Sequence, residues 1–292
     1  MKDKTIFALG FFDGVHLGHQ TILYTCKRLA AQAGVSTGAI TFESHPQSLF
    51  VKDCPGLINT TADRCSLLRQ YGMDTILTYP VTQAVMQTPW QDFLMELYRS
   101  YGAAGFVCGD DFRFGHRGEG NCDRIREFCK EFGLTCAIVP QQDLDGSRIS
   151  STRIRELLEQ GDLAGANRLL GHPHVLTGTV VTGKQVGRTI GFPTANLELP
   201  SGVLAPRFGV YACQVSVDGK TYAALTNIGT RPTVNGQGVN AECHLLDFAG
   251  DLYGKQLTIA FLSFLRPEKK FASLEDLRAQ IAKDTDEVRK SL

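Results

Sequence analysis

The sequence predicts two domains of different class: an α/β domain built on a parallel sheet, then a small antiparallel β-barrel with a C-terminal helix. Three features carry that expectation. Before residue 171, short apolar runs alternate with stretches of helical period. Beyond residue 174, β-rich runs succeed one another with only turn residues between them. Between the halves stands Gly171-His172-Pro173. Proline cannot continue a helix and glycine ends one readily, so the domains are expected to be residues 1–172 and 173–292.

In order along the chain, the first half offers strands at Thr5–Leu9, Thr37–Phe42, Thr75–Tyr79, Gly105–Cys108 and Thr135–Val139. Between them Ile22, Leu23, Cys26, Leu29, Ala30 and Ala33 keep a 3.6-residue period, as do Phe93, Leu94, Leu97, Tyr98 and Tyr101. Thr88-Pro89 reads as the cap and first turn of that second helix. Strands apolar on both faces and joined by helices argue for a covered parallel sheet, a Rossmann-like layout with ligands at the carboxyl ends of its strands. Two short helices, Ser151–Gln160 and Asp162–Leu170, close this half. The second half offers strands at Val175–Val181, Val210–Val217, Thr221–Ile228, Ala241–Phe248 and Leu257–Leu265, with turns at Asp218-Gly219 and Gly250-Asp251. Five or six such strands without helices between them suit a small barrel. A final helix starts from Ser273, with Leu274, Leu277, Ile281 and Val288 as its buried stripe.

A chain of 292 residues has room for two cores. Its 43% apolar and 21% charged content is that of a globular protein, and Lys plus Arg equal Asp plus Glu at 30 each. Residues 1–172 hold 17 basic and 19 acidic side chains, and residues 173–292 hold 13 and 11. Neither half attracts a polyanion in bulk, which argues against nucleic acid or an anionic membrane as partner. Nine cysteines, with no C-x-x-C, read as free thiols in a reducing compartment. No stretch reaches the roughly 18 apolar residues of a membrane span, so a soluble cytoplasmic protein is expected, monomeric or weakly self-associating.

Three segments of the first half carry chemistry. Gly10-Phe-Phe-Asp-Gly-Val-His-Leu-Gly-His19 follows the first strand directly. Its glycines allow close approach to a ligand, and His16 and His19 fall at the start of a helix, where N–H groups and the dipole favour phosphate. A zinc pair would want further ligands at suitable spacing, and none are near. Gly-Asp-Asp-Phe-Arg-Phe-Gly at 109–115 ends the fourth strand. Ile149-Ser-Ser-Thr-Arg-Ile-Arg155 opens the next helix, with Arg155 one turn on from Ser151 and Thr152.

Together these segments resemble the adenylyltransferase module of bacterial FAD synthetases, within the H-x-G-H nucleotidylyltransferase superfamily. The resemblance covers residues 5–171, including Thr-Phe-Glu-Ser-His-Pro at 41–46. It implies that His16 and His19 bind the ATP phosphates and stabilise transfer at the α-phosphorus. Gly10, Phe12, Asp13 and Gly14 would form the ATP loop, and Ser151, Thr152 and the catalytic Arg155 would hold the triphosphate. Phe42, His45, Pro46, Asp111 and Phe112 would lie toward the flavin. The sequence departs from the family at Phe11, where asparagine is frequent, at Ser44, where proline is usual, and at Asp110, where glutamate is common.

The second half is read most sharply from Thr182-Gly-Lys-Gln-Val-Gly-Arg-Thr-Ile-Gly-Phe-Pro-Thr-Ala-Asn196. Glycines around an arginine make a flap for phosphates. Pro193 precedes Thr194 and Asn196, whose neutral oxygens suit Mg²⁺ that keeps phosphate and water ligands. No Walker loop is present. With Gly209-Val-Tyr-Ala212, Asn227–Thr233, Leu252-Tyr-Gly-Lys255 and Phe264-Leu-Arg-Pro-Glu268, the segment resembles riboflavin kinases over residues 174–290. That resemblance implies a six-stranded barrel with ATP held by Gly183, Gly187, Arg188, Gly191, Pro193, Thr194 and Tyr211. It further implies Mg²⁺ at Thr194 and Asn196, Glu242 as base, and Arg266 beside the flavin.

The two resemblances imply one enzyme that phosphorylates riboflavin to FMN and adenylylates FMN to FAD, releasing pyrophosphate; riboflavin, FMN and ATP are its small-molecule partners. The competing readings are a kinase whose first half no longer makes FAD, a flavin-binding regulator without turnover, and a nucleic-acid-binding barrel. A base facing a magnesium site is of no use to a mere binder, and the barrel sequence lacks a basic, aromatic strand face.

Overall fold

The computed structural model describes residues 4–49, 51, 54–183, 187, 190–200, 202–233 and 236–291. The chain forms two compact units, one of Met1–Leu57 and Thr61–Ser151, the other of Ile58–Thr60 and Thr152–Leu292.

The first unit carries β1 (Thr5–Leu9), β2 (Ser36–Phe42), β3 (Thr75–Tyr79), β4 (Ala103–Gly109) and β5 (Thr135–Val139) in one sheet of order β3-β2-β1-β4-β5. Every pairing is parallel. Helices α1 (Leu17–Ala33), α2 (Thr61–Gln70), α3 (Gln83–Met86), α4 (Trp90–Tyr101) and α5 (Cys122–Phe132) lie between the strands, and a two-residue hairpin, β6 (Asp143–Leu144) with β7 (Ser147–Arg148), follows β5. All five residues of β1 are buried, as a central strand covered on both faces requires. The chain fills one side of β1 first and then crosses to β4, so the switch point lies between the carboxyl ends of β1 and β4. The 10–19 and 109–115 segments both emerge there.

Thr88 does not cap α4: its hydroxyl donates back to the Ala84 carbonyl at 3.2 Å, and Pro89 occupies the cap position without a side-chain bond. The expected free thiols are found, with all nine cysteines unpaired.

In the second unit, α6 (Ser151–Gln160, whose first residue counts with the first unit) and α7 (Leu163–Leu170) precede a closed barrel of order β10-β11-β12-β9-β8-β13. The strands are β8 (His174–Val181), β9 (Ala195–Glu198), β10 (Gly209–Val217), β11 (Lys220–Thr233), β12 (Gly236–Leu245) and β13 (Gln256–Arg266), all antiparallel. The sequence expectation did not name β9; its four residues are too short for a visible alternation. β12 ends three residues earlier than expected because Asp247 turns the chain at φ 57°. Asn167 ties α7 to the barrel, its Nδ2 donating to the Phe261 carbonyl at 2.8 Å and its Oδ1 accepting the His174 N–H at 2.8 Å.

Helix α8 (Leu274–Ser291) is capped by Ser273, whose Oγ accepts the Asp276 N–H at 3.1 Å. Of the expected buried stripe, only Val288 is fully buried. Leu277 and Ile281 are half-buried, and Leu274, in the first turn, is 53% exposed.

His174 is fully buried against Phe261, and neither ring nitrogen has a hydrogen-bond partner among the described residues. Burial pushes its pKa down to about 3, so the folded chain holds it neutral while the unfolded chain protonates it near pH 6.5. The folded state then binds fewer protons, and stability falls as pH drops from about 6.5 toward 3, at up to about 1.4 kcal/mol per pH unit. Urea unfolding of His174→Phe across that window is expected to give a shallower acid slope than the unaltered chain. Equal slopes would show that His174 does not titrate in this way.

Candidate functional site

The turn after β1 is built under strain. Phe12 and Val15 adopt φ of 57° and 41°, and Gly14 lies at 81° between them. A non-glycine residue held there costs about 1–3 kcal/mol and persists only where its surroundings fix it. Here they do. The Phe12 ring is fully buried beneath Gly10, where an added Cβ would meet it at 2.9 Å. Thr41 donates to the Phe11 carbonyl at 2.6 Å, and Ser151 donates to the Asp13 carbonyl at 2.9 Å. Of the residues expected to face ATP, Phe12 and Asp13 therefore serve as buried supports of the turn.

The turn delivers both histidines to the start of α1. His16 is the N-cap: its Nδ1 accepts the His19 N–H at 3.3 Å, which leaves the neutral ring's proton on Nε2. The two imidazoles stack, with centroids 3.6 Å apart and planes 13° from parallel, and Phe12 meets His19 edge-on at 5.3 Å. Gly18 leaves the His16 ring its space, since a Cβ there would sit 3.3 Å from it. His19 Nδ1 is buried with no hydrogen-bond partner among the described residues. Burial, then the nearby His16 and Arg64, hold the His19 pKa well below its usual value. A neutral imidazole pair at the positive end of a helix can donate to an anion without bringing one of its own.

Beside this turn runs an aromatic row. Phe11 contacts Phe42 (6.5 Å) and His45 (5.3 Å), and the row continues through Tyr79, Phe93 and Phe114 to Phe112. Three of the expected flavin residues, Phe42, His45 and Phe112, thus share one row, and Pro46 opens the short 3-10 turn that follows His45. Asp111 is engaged elsewhere, in an exposed ion pair with Arg148 at 2.6 Å. Thr152 and Arg155 fall in the second unit, and their expected role rests on the sequence.

In the barrel, Asn196 on β9 and Glu242 on β12 are register partners, as are Glu242 and Asn227 on β11. Asn240 Nδ2 donates to both Asn196 Oδ1 (3.4 Å) and Glu242 Oε1 (3.3 Å), coupling the amide to the carboxylate. Gly183 packs against the Asn196 amide, where a Cβ would come within 2.2 Å of Nδ2; at Gly187 a Cβ would meet the Phe192 carbonyl oxygen at 2.3 Å. His244 Nδ1 donates to the Pro193 carbonyl at 2.8 Å.

Two cavities open on these residues. One, of about 580 Å³, is lined by Val180, Pro193, Thr194, Phe248, Leu252 and Tyr253 among others. The other, of about 400 Å³, includes Gly187, Thr194, Glu242, Arg266, Phe271 and Ile281. Thr194 borders both. Leu277 and Ile281 line the second cavity, which explains why that stripe of α8 is only half-buried. Arg266 lines the same cavity while its Nε and Nη2 donate to Asp284 Oδ2 at 2.9 and 2.8 Å. Gly191 lies on the exposed loop at φ 86°. Tyr211 is placed differently from expectation: it is fully buried inside the barrel against Phe261 and Phe264, its hydroxyl donates to the Arg207 carbonyl, and it borders neither cavity. Arg188 lies outside the described residues.

The sequence reading missed Arg64, Asn240 and Asp284. Arg64 had a visible signal, for it falls on the period of the buried Leu67 and Leu68 in α2, where a charge is out of place. Asp284 interrupts the α8 stripe in the same way.

Residues 1–153 match the family model for FAD synthetase, and residues 170–292 match that for riboflavin kinase. The chain belongs to the bifunctional riboflavin kinase/FMN adenylyltransferase family. Relatives carrying that name are 35% identical in Listeria monocytogenes, over 97% of this chain and 91% of theirs, and 37% identical in Escherichia coli K12 with the same coverage. The family's two activities, riboflavin kinase and FMN adenylyltransferase, are supported for this chain over the kinase-only alternative. A solved Streptococcus pneumoniae structure described as a macrolide-efflux protein is 29% identical, with a TM-score of 0.86, covering 99% of this chain and 95% of its own. That description stays with that protein; among the described residues of this chain, no helix is long and apolar enough to cross a membrane.

Proposed function

We propose that residues 173–292 phosphorylate riboflavin at Glu242 and Thr194, and that residues 1–172 adenylylate the resulting FMN at His16 and His19. The observation that carries the reading is that Thr194 borders two cavities, one of which holds Glu242. A donor nucleotide in the larger cavity and an acceptor alcohol in the smaller would meet at that residue.

In the kinase, the acceptor is a neutral ribityl hydroxyl, a poor nucleophile at neutral pH. Glu242 takes its proton as the oxygen attacks the γ-phosphorus, and ADP leaves. Thr194 and the Asn196 amide fit Mg²⁺: both offer neutral hard oxygens, and Gly183 keeps the amide's surroundings clear of a Cβ. When bound with ATP, the ion neutralises charge on the transferring phosphoryl group. Arg266, held by Asp284, forms one wall of the flavin cavity alongside Phe271.

In the adenylyltransferase, the FMN phosphate is already an anion, so no base is required. It attacks the α-phosphorus of ATP, and pyrophosphate leaves. His16 Nε2–H and the first N–H groups of α1 meet the charge on the equatorial oxygens. The half-buried members of that row, Phe11, Phe42, Tyr79 and Phe112, offer the isoalloxazine faces on which to stack. A cytoplasmic setting and the absence of a nucleic-acid partner belong to the same proposal, supported by the free thiols and the balanced charge, as does a monomeric or weakly self-associating chain.

Purified protein incubated with riboflavin, ATP and Mg²⁺ should yield FAD when the flavins are separated by chromatography. FMN alone would confine the chain to kinase activity, and unchanged riboflavin would refute the enzymatic reading. Gly183→Ala forces a Cβ toward Asn196 and is expected to slow FMN formation by about 10²-fold while FMN-to-FAD conversion persists. A kinase rate within about twofold of normal would remove Asn196 from the site.

A further inference from the structure

Arg64 is the largest fully buried side chain among the described residues, at 0% exposure, and the adenylylation chemistry described above does not use it. A guanidinium out of water is strongly unfavourable unless its donors are paired. Here they are not. Nη2 donates to the Phe42 carbonyl and to Thr61 Oγ1, but Nε and Nη1 have no hydrogen-bond partner among the described residues. The acid beside it, Asp13, stands 3.9 Å from Nη1, a loose contact for a pair with side chains 0% and 1% exposed. Burial accordingly lowers the Arg64 pKa from the usual guanidinium value. Packing alone would be better served by leucine or methionine at this position.

What Arg64 touches is one structure. Its guanidinium lies over the Phe11 ring at 4.7 Å, it bonds the last residue of β2, and it faces the carboxylate of the strained turn that ends at His16. We propose that Arg64 is a positioning residue for adenylyl transfer: it clamps the 10–16 turn between β1 and β2 and sets a fixed cation behind the paired histidines. This rests on the reading of His16 and His19 as the phosphate site. Its consequence is selective. Losing the clamp lets the imidazoles drift from the reacting phosphorus, which lowers the rate of the step more than the binding of either substrate.

The test compares Arg64→Met, Arg64→Lys and His19→Ala in the full chain. FAD formation from FMN and ATP is measured as kcat and KM, and riboflavin phosphorylation by the same preparation reports on folding. Arg64→Met is expected to lower kcat for FAD formation by about 10²-fold, with both KM values within about threefold of normal and the kinase unaffected. Arg64→Lys keeps the charge but loses the planar fork, so it is expected to recover part of that loss. Should Arg64→Met fail to fold, Arg64→Lys decides alone: normal kcat for FAD in that variant overturns the clamp. So does a folded Arg64→Met with normal kcat, or one in which only KM rises. If His19→Ala also makes FAD normally, the phosphate-site reading itself falls; if His19→Ala is inactive while both Arg64 variants work, only the Arg64 proposal does.

Discussion

Glu242→Gln is expected to stop riboflavin phosphorylation while leaving conversion of supplied FMN to FAD near its normal rate. The substitution is conservative in shape. Asn240 Nδ2 donates to Glu242 Oε1, and a glutamine oxygen can still accept that bond, so the coupling to Asn196 survives. What disappears, on the proposed reading, is the acceptor for the ribityl proton. A positioned general base contributes about 10²–10⁴-fold, and a loss in that range is expected in kcat for FMN formation. Because Glu242 lies in the cavity of the second unit, the adenylyltransferase reaction is expected to proceed. A simultaneous loss of both activities in a folded variant would contradict separate sites, and a kinase rate within about threefold would remove Glu242 as the base.

His16→Ala combined with His19→Ala is expected to do the reverse. Removing one preorganised donor from a developing oxyanion costs about 10²–10³-fold, and groups that act together do not add, so a loss of about 10³-fold in FAD formation is expected for the pair. The structural side of the change is smaller. His16 is the N-cap of α1, and losing a cap costs about 1 kcal/mol, which a domain of this size withstands. Among the described residues the buried His19 Nδ1 has no partner, so it gives the fold no hydrogen bond to lose. FMN formation should therefore continue undiminished. FAD appearing at the normal rate would exclude both histidines from the chemistry.

Much of this was legible from residue order because the relevant signals are local. The helix-start histidines, the glycines around them and the carboxyl-end placement of 10–19 and 109–115 all follow from strand and helix periodicity. What stayed hidden depends on contacts distant in sequence. Nothing near Tyr211 signals that its ring turns into the barrel, because a strand alternates between two faces and the sequence does not label which is inside. The commitment of Arg266 to Asp284 and of Asp111 to Arg148, and the loose approach of Asp13 to Arg64, need elements that meet only on folding. Strand β9 was missed for a different reason: its four residues sit inside a segment whose Gly, Pro, Thr and Asn content reads as loop, and only pairing with β8 and β12 makes it a strand. The meeting of two cavities at Thr194 is likewise a property of the closed barrel.

The claim on which the rest depends is that one chain holds two separate phosphorus-transfer sites linked by free FMN. It is tested most directly by mixing the Glu242→Gln variant with the His16→Ala/His19→Ala variant and supplying riboflavin, ATP and Mg²⁺. Neither variant alone should form FAD from riboflavin, and the mixture should. A mixture that accumulates FMN without FAD, or forms no FMN at all, would contradict that claim.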